Sequence, residues 1–110
     1  MPAITQFTGF PSTRLVRLDG DLDLFAALRL RRILNAAVTA GCPQLTVDVE
    51  HVTFVDASAL GLLERAWTEL RARSVVVDVI NPSPRFCWLV DVIGLQDTFQ
   101  LQAPRARPAS

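Results

Sequence analysis

The stretch Phe54-Val55-Asp56-Ala57-Ser58-Ala59-Leu60-Gly61-Leu62-Leu63 joins strand-like and helix-like apolar segments through an acidic residue and a small hydroxyl. Before it, in Gln44–Glu50, Leu45, Val47 and Val49 alternate with Thr46, Asp48 and Glu50, the period of two expected of a strand with one face buried. After it, Leu60, Leu63, Trp67 and Leu70 recur at helical spacing up to about Arg73, with Glu64, Arg65, Glu69 and Arg71 on the outer face. A strand leading straight into a helix is the repeating unit of α/β domains, so this junction sets the fold class. Asp is a preferred N-cap residue, its carboxylate accepting bonds from the free N–H groups of the first turn. With Asp56 in that role, Ser58 falls in the first turn, hydroxyl outward, near the positive end of the helix dipole. Polar residues placed between two core-forming segments cap the helix, serve a partner, or do both.

The same unit recurs on either side. A short apolar start, Ala3–Phe7, and a turn at Phe10–Thr13 precede a strand over Arg14–Leu18. Gly20-Asp21-Leu22-Asp23 follows, and then Leu30, Ile33, Leu34 and Ala37 predict a helix from about Leu24 to Ala40, stopped by Gly41 and Pro43. Ser74–Ile80 reads as another strand, its run of valines predicting cover on both faces. Ser83 as N-cap, Pro84 at the first helical position and Gly94 past the end mark a short helix. Its inward stripe is Phe86, Leu89, Val90 and Ile93, which leaves Trp88 and Val92 as an exposed contact or a second packing face. A last strand is expected over Thr98–Leu101. The alternation implies a single α/β domain with a mixed, mostly parallel sheet and the connecting helices packed on it. In such sheets the strand-to-helix loops gather at the carboxyl ends of the strands, which should bring Gly20–Asp23 and Val55–Ser58 together.

The 110 residues suit one domain, expected over 1–102, followed by a disordered tail at 103–110, rich in Pro and poor in large apolar residues. Half of the residues are apolar, and 11 basic residues balance 11 acidic ones, so no overall field draws the chain to nucleic acid or to an anionic membrane. No apolar run approaches the roughly 20 residues of a membrane span, and the first residues lack the pattern of a signal peptide. The expectation is a cytoplasmic protein, a monomer or weak homodimer, with no nucleic acid or membrane partner. Cys42 and Cys87 have neither metal-ligand spacing nor a CxxC arrangement; they read as buried or partly buried thiols, with redox pairing as a side hypothesis. His51, the single histidine, reads as a surface residue. Asp21, Asp23 and Asp56 could in principle gather around a metal, a reading set aside only by the family resemblance given below; separately, the sequence contains no Gly-rich phosphate loop or nucleophile elbow. No catalytic residue, metal or cofactor is expected, and the chain reads as a binding protein, not an enzyme.

Taken together and in this order, the two polar junctions make the chain resemble a STAS domain of the bacterial anti-sigma factor antagonist type, from about Ile4 to Leu101. In that family a G-E-L-D element precedes the first long helix, here Gly20-Asp21-Leu22-Asp23. A strand like L-x-L-D-L-S then leads into F-[ILVM]-D-S-[ST]-G-L, here Phe54-Val55-Asp56-Ala57-Ser58-Ala59-Leu60. The resemblance implies a partner, an ATP-binding anti-sigma factor that is also a serine kinase, whose capture frees a sigma factor for transcription. It also implies a switch, in which the kinase phosphorylates the first hydroxyl after the motif Asp and a phosphatase restores it. The partner-binding residues so implied are Asp21, Asp23, Asp56, Ala57, Ser58, Ala59 and Leu60. The sequence departs from the family at the acceptor itself: Ala57 stands there, Ser58 matches the second hydroxyl position, and Ala59 replaces the usual Gly. Either Ser58 has become the phosphoacceptor, or the chain binds its partner constitutively, or it is governed in another way. The alternative function is that of a non-phosphorylated scaffold or accessory STAS subunit in a stress-signalling or lipid-transport complex.

Overall fold

A computed structural model describes residues 4–10, 13–42 and 44–99. In chain order its elements are β1 (Ile4–Phe10), β2 (Thr13–Leu22), α1 (Leu24–Thr39), β3 (Gln44–Val55), α2 (Ala57–Ala72), β4 (Val76–Ile80), α3 (Pro84–Val92) and α4 (Gln96–Phe99). The strands form one sheet in the order β1-β2-β3-β4. β1 runs antiparallel to β2, while β2, β3 and β4 are mutually parallel, joined by α1 and α2. This is the mixed, mostly parallel α/β sheet expected from the alternation of strands and helices.

Period-two alternation puts Val16, Leu18, Leu45, Val47, Val49 and Val79 on one face of the sheet, all buried. Onto that face α1 lays Ala26, Ala27, Leu30, Leu34 and Ala37, and α2 lays Ala59, Leu60, Leu63, Ala66, Trp67 and Leu70. The alanines let α1 and α2 approach each other and the strands closely. The leucines supply most of the driving force, at about 1.5–3 kcal/mol for each side chain fully removed from water. Trp67 closes one end of this core by meeting Phe99 of α4 edge to face, ring centroids 5.3 Å apart and planes at 71°.

Three helices end in one motif. After α1, Gly41 N–H donates to Val38 O and Cys42 N–H to Ala37 O; after α3, Gly94 N–H donates to Asp91 O and Leu95 N–H to Val90 O. Both glycines have positive φ, 90° and 78°, as this Schellman arrangement requires. After α2 the same two bonds form, Ser74 N–H to Arg71 O and Val75 N–H to Leu70 O, but the left-handed residue is a serine at φ 63°. A Cβ is strained there. Ser74→Gly is therefore expected to raise stability by about 0.5–1 kcal/mol, read as a higher urea midpoint at unchanged m-value.

The other face of the sheet carries a polar cross-strand group. Arg17, Asp48 and Ile80 lie side by side in register across β2, β3 and β4. Alternation places Asp48 outward, yet it is buried, 3 % exposed. Its Oδ1 accepts from Glu50 N–H at 3.0 Å and from Asn81 Nδ2 at 3.2 Å, and its Oδ2 lies 3.5 Å from Arg17 Nε, an ion-pair contact without hydrogen-bond alignment. Asn81 sits at φ 58°, where Asn is among the better tolerated residues. Asp48→Ala leaves these donors without their acceptor and is expected to cost about 1–3 kcal/mol in a urea titration, the exposed side of Arg17 returning to water.

Two expectations are corrected. β4 is an edge strand and is not covered on both faces: Val79 is buried and Val77 half-buried, but Val76 is 54 % exposed. The residues Thr98 and Phe99 are helical, not part of a last strand. After Gly94 turns the chain, Leu95 O accepts from both Thr98 and Phe99 N–H, and packing of Phe99 against Trp67 overrides the strand preference of Thr and Phe. Leu101, the turn residues Pro11 and Ser12, and the tail at 103–110 lie outside the described residues. β2 and β3 are both longer than their apolar cores indicate, running on through Leu22 and Val55.

Candidate partner-binding site

The extra length of β2 and β3 carries both polar junctions to the same edge of the sheet. Gly20 pairs with Val52; a register shift then passes over Thr53 of β3, so that Asp21 pairs with Phe54 and Leu22 with Val55, and Gly20 takes a φ of 93° that suits a residue without Cβ. Asp56 N–H donates to Leu22 O at 3.0 Å, and Thr53 Oγ1 donates to Asp21 Oδ1 at 3.2 Å. The two junctions are thus fastened to each other by backbone and side chain, and the starts of α1 and α2 emerge side by side.

Each helix start is capped by an aspartate. Asp23, the N-cap of α1, accepts from Ala26 N–H through Oδ1 at 2.9 Å. Asp56, the N-cap of α2, uses one oxygen twice: Oδ1 accepts from Ser58 N–H at 3.0 Å and from Ser58 Oγ at 3.0 Å. The Ser58 hydroxyl is exposed, held by a carboxylate at the positive end of a 16-residue helix. Ala57, also exposed, occupies the first helical position and offers only a methyl group.

Of the seven partner-binding candidates, five reach the surface: Asp21, Ala57 and Ser58 are exposed, and Asp23 and Asp56 are half-buried. Ala59 and Leu60 are fully buried in the core. They hold the first turn of α2 down on the sheet and cannot touch a partner, which corrects their reading as contact residues. The Ala59 methyl fills space in that packing, so the substitution away from the family's glycine is accommodated by the core.

Three exposed apolar residues frame the polar centre, and sequence reasoning did not single them out. Leu24 and Phe25 open α1 directly after the Asp23 cap, at 41 % and 77 % exposure, and Phe54 precedes the second junction at 56 %. A signal was available for Phe25: it falls off the buried stripe of α1 formed by Ala26, Ala27, Leu30, Leu34 and Ala37. β4 pairs only with Gln44–Asp48, so the end of β3 runs past it and faces α3 across a cavity of about 130 Å³. Val52, Phe54, Phe86, Trp88 and Leu89 supply its apolar wall, with Ser83 and Arg85 among its polar lining.

The remaining candidates do not join this surface. His51 is exposed on β3. Cys42 is buried at the start of β3, its Sγ donating to Gln44 O at 3.1 Å, and Cys87 is half-buried on α3, beyond the carboxyl end of β4; both thiols are free. Burial pushes the Cys87 thiol above its ordinary value, outweighing a backbone hydrogen bond that lowers it, so less of it is the reactive thiolate. Among the described residues no group of three His, Cys, Asp or Glu side chains could hold a metal ion. No helix among them is long and apolar enough to cross a membrane.

Residues 5–106 match the STAS domain family. The chain belongs to it. This STAS domain is 33 % identical over 84 residues to the anti-sigma F factor antagonist of Lysinibacillus sphaericus, covering 76 % of the chain and 72 % of that protein. It is 26 % identical over 82 residues to the anti-sigma-B factor antagonist of Staphylococcus aureus, covering 74 % and 76 %. Among solved structures it superposes on the anti-sigma factor antagonist SpoIIAA in its unphosphorylated form with a TM-score of 0.74 at 25 % identity, covering 92 % of this chain and 89 % of that one. On the phosphorylated form of the Bacillus SpoIIAA the TM-score is 0.69 at 26 % identity, with 92 % of each chain covered. The overall fold is thus shared with a protein whose structure is known in both its unphosphorylated and its phosphorylated form.

Proposed function

We propose that this STAS domain is an anti-sigma factor antagonist, which binds an anti-sigma factor through the paired starts of α1 and α2 and so frees a sigma factor for transcription. The observation that carries the reading is the exposed Ser58 hydroxyl, bonded to the Asp56 cap at the end of the sheet where the Asp21–Asp23 junction and the exposed Phe25 and Phe54 also lie. Apolar anchors beside a small charged centre suit a protein partner recognised by local shape and charge. The partner is of the ATP-binding serine kinase type, and Ser58 is its phosphoacceptor in place of Ala57. Transfer forms a bond from Ser58 Oγ to the γ-phosphorus of ATP, breaks the bond to ADP and releases the hydroxyl proton. The product places roughly 1.5–2 negative charges where a neutral donor stood, against the Asp56 carboxylate, and repels a surface fitted to the hydroxyl. A phosphatase resets the switch.

The reading is tested with a purified anti-sigma kinase in complex with its sigma factor, either the cognate pair or the pair that partners a relative such as the Lysinibacillus sphaericus antagonist. Adding the wild-type chain should release free sigma factor on a sizing column in proportion to the antagonist added. No release at any ratio, with the antagonist itself folded, rules the reading out. A permanent scaffold, the reading that Ala57 at the usual acceptor position leaves open, would instead bind without responding to a charge at Ser58.

A further inference from the structure

We propose that α3 is a self-association surface through which two copies of this chain pair about a two-fold axis beside Trp88. α3 is buried on one side, through Phe86 and Val90, with Leu89 and Ile93 packed against the core. Its other side is a continuous exposed face made of Pro84, Arg85, Trp88, Asp91 and Val92. Trp88 at 61 % and Val92 at 58 % exposure form its apolar centre, and an exposed indole next to an exposed valine is the kind of patch that marks an interaction site.

The occupant follows from how the charges are arranged around that centre. Arg85 lies three residues before Trp88 and Asp91 three residues after it. At about 100° per residue they project roughly 60° to either side of the Trp88 direction, one turn apart from it along the axis. Neither forms an ion pair among the described residues. A helix face with an aromatic at its midpoint, a cation on one flank and an anion at the mirrored step on the other is complementary to itself. When two such helices cross at Trp88 with the common packing angle of about 50°, the symmetry brings Arg85 of each copy to Asp91 of the other, making the contact twice. An unrelated partner would need no such matching. The formal charge of the chain is zero, so no net repulsion opposes pairing. The nine residues of α3 offer a small interface, and the pair is accordingly weak and concentration-dependent.

Sedimentation equilibrium of the full chain tests this between about 10 µM and about 1 mM, the range in which small interfaces associate. The weight-average mass should rise from that of one chain toward that of two. Trp88→Ala should hold it at one chain throughout. Arg85→Asp and Asp91→Arg should each weaken association by about tenfold, and the two together should restore it, since the pair is then only reversed. All three side chains are exposed, so circular dichroism should show the variants folded like wild type. A single-chain mass at every concentration overturns the proposal; so does association that survives Trp88→Ala, or a double variant no better than the single ones.

Discussion

Ser58→Glu is expected to weaken binding to the anti-sigma factor by about 100-fold or more, while the stability of the STAS domain itself changes by no more than about 0.5 kcal/mol. The two effects separate because of where the side chain sits. Ser58 is exposed in the first turn of α2, where a negative charge is favoured by the helix dipole, and its Cβ and backbone need not move. What the substitution removes is the Oγ–H donor to Asp56 Oδ1, one surface hydrogen bond partly offset by the dipole. What it adds is a second carboxylate beside the first, in the middle of a surface that also presents Asp21 and Asp23. A partner that fits a neutral hydroxyl there must then bury or displace a charge without a counter-ion, which costs several kcal/mol in a desolvated interface. Isothermal titration against the anti-sigma factor measures the first effect and urea denaturation the second. Equal affinities for wild type and Ser58→Glu would show that the partner docks elsewhere.

Phe25→Ala is expected to weaken the same complex by about 2 kcal/mol, close to 30-fold, without destabilising the free protein. The ring is 77 % exposed at the second position of α1, so the folded chain gains little from it, and Ala is the better helix former. A large aromatic maintained in water beside an N-cap is useful only once something covers it. Its position two residues after the Asp23 cap, at the start of α1 and at the same end of the sheet as the start of α2, puts it at the flank of the proposed contact. The result is read by titration together with a thermal melt. A loss of affinity accompanied by a lowered melting temperature would assign Phe25 to the fold instead, and no loss would remove α1's first turn from the interface.

Much of this was legible in the sequence because the elements declare themselves by period and by cap. Leu45, Val47 and Val49 gave the buried face of β3, and Leu60, Leu63, Trp67 and Leu70 that of α2. Asp56 and Ser83 capped the helices they were expected to cap. The meeting of the two polar junctions followed from parallel topology, since loops at the carboxyl ends of neighbouring strands must share an edge. What the sequence did not disclose depended on tertiary context. The strand preference of Thr98 and Phe99 yields to an aromatic contact with Trp67, more than thirty positions away. Asp48 follows outward-facing alternation but is buried because Arg17 of β2 and Asn81, just past the end of β4, close over it. The valines of β4 read as doubly covered, but β4 is at the sheet edge, and Val76 is left open. Ala59 and Leu60 belong to a recognisable motif, yet only the helix phase shows that they point into the core while Ser58 points out.

The proposed switch requires the hydroxyl of residue 58 to take the role that Ala57 cannot fill. Incubating the purified chain with an anti-sigma kinase and ATP, then mapping the phosphate by peptide mass spectrometry, tests this directly. A single phosphate on Ser58, lost in Ser58→Ala, is the predicted result. A phosphate on any other residue, or none under conditions in which the kinase binds the chain, would contradict it.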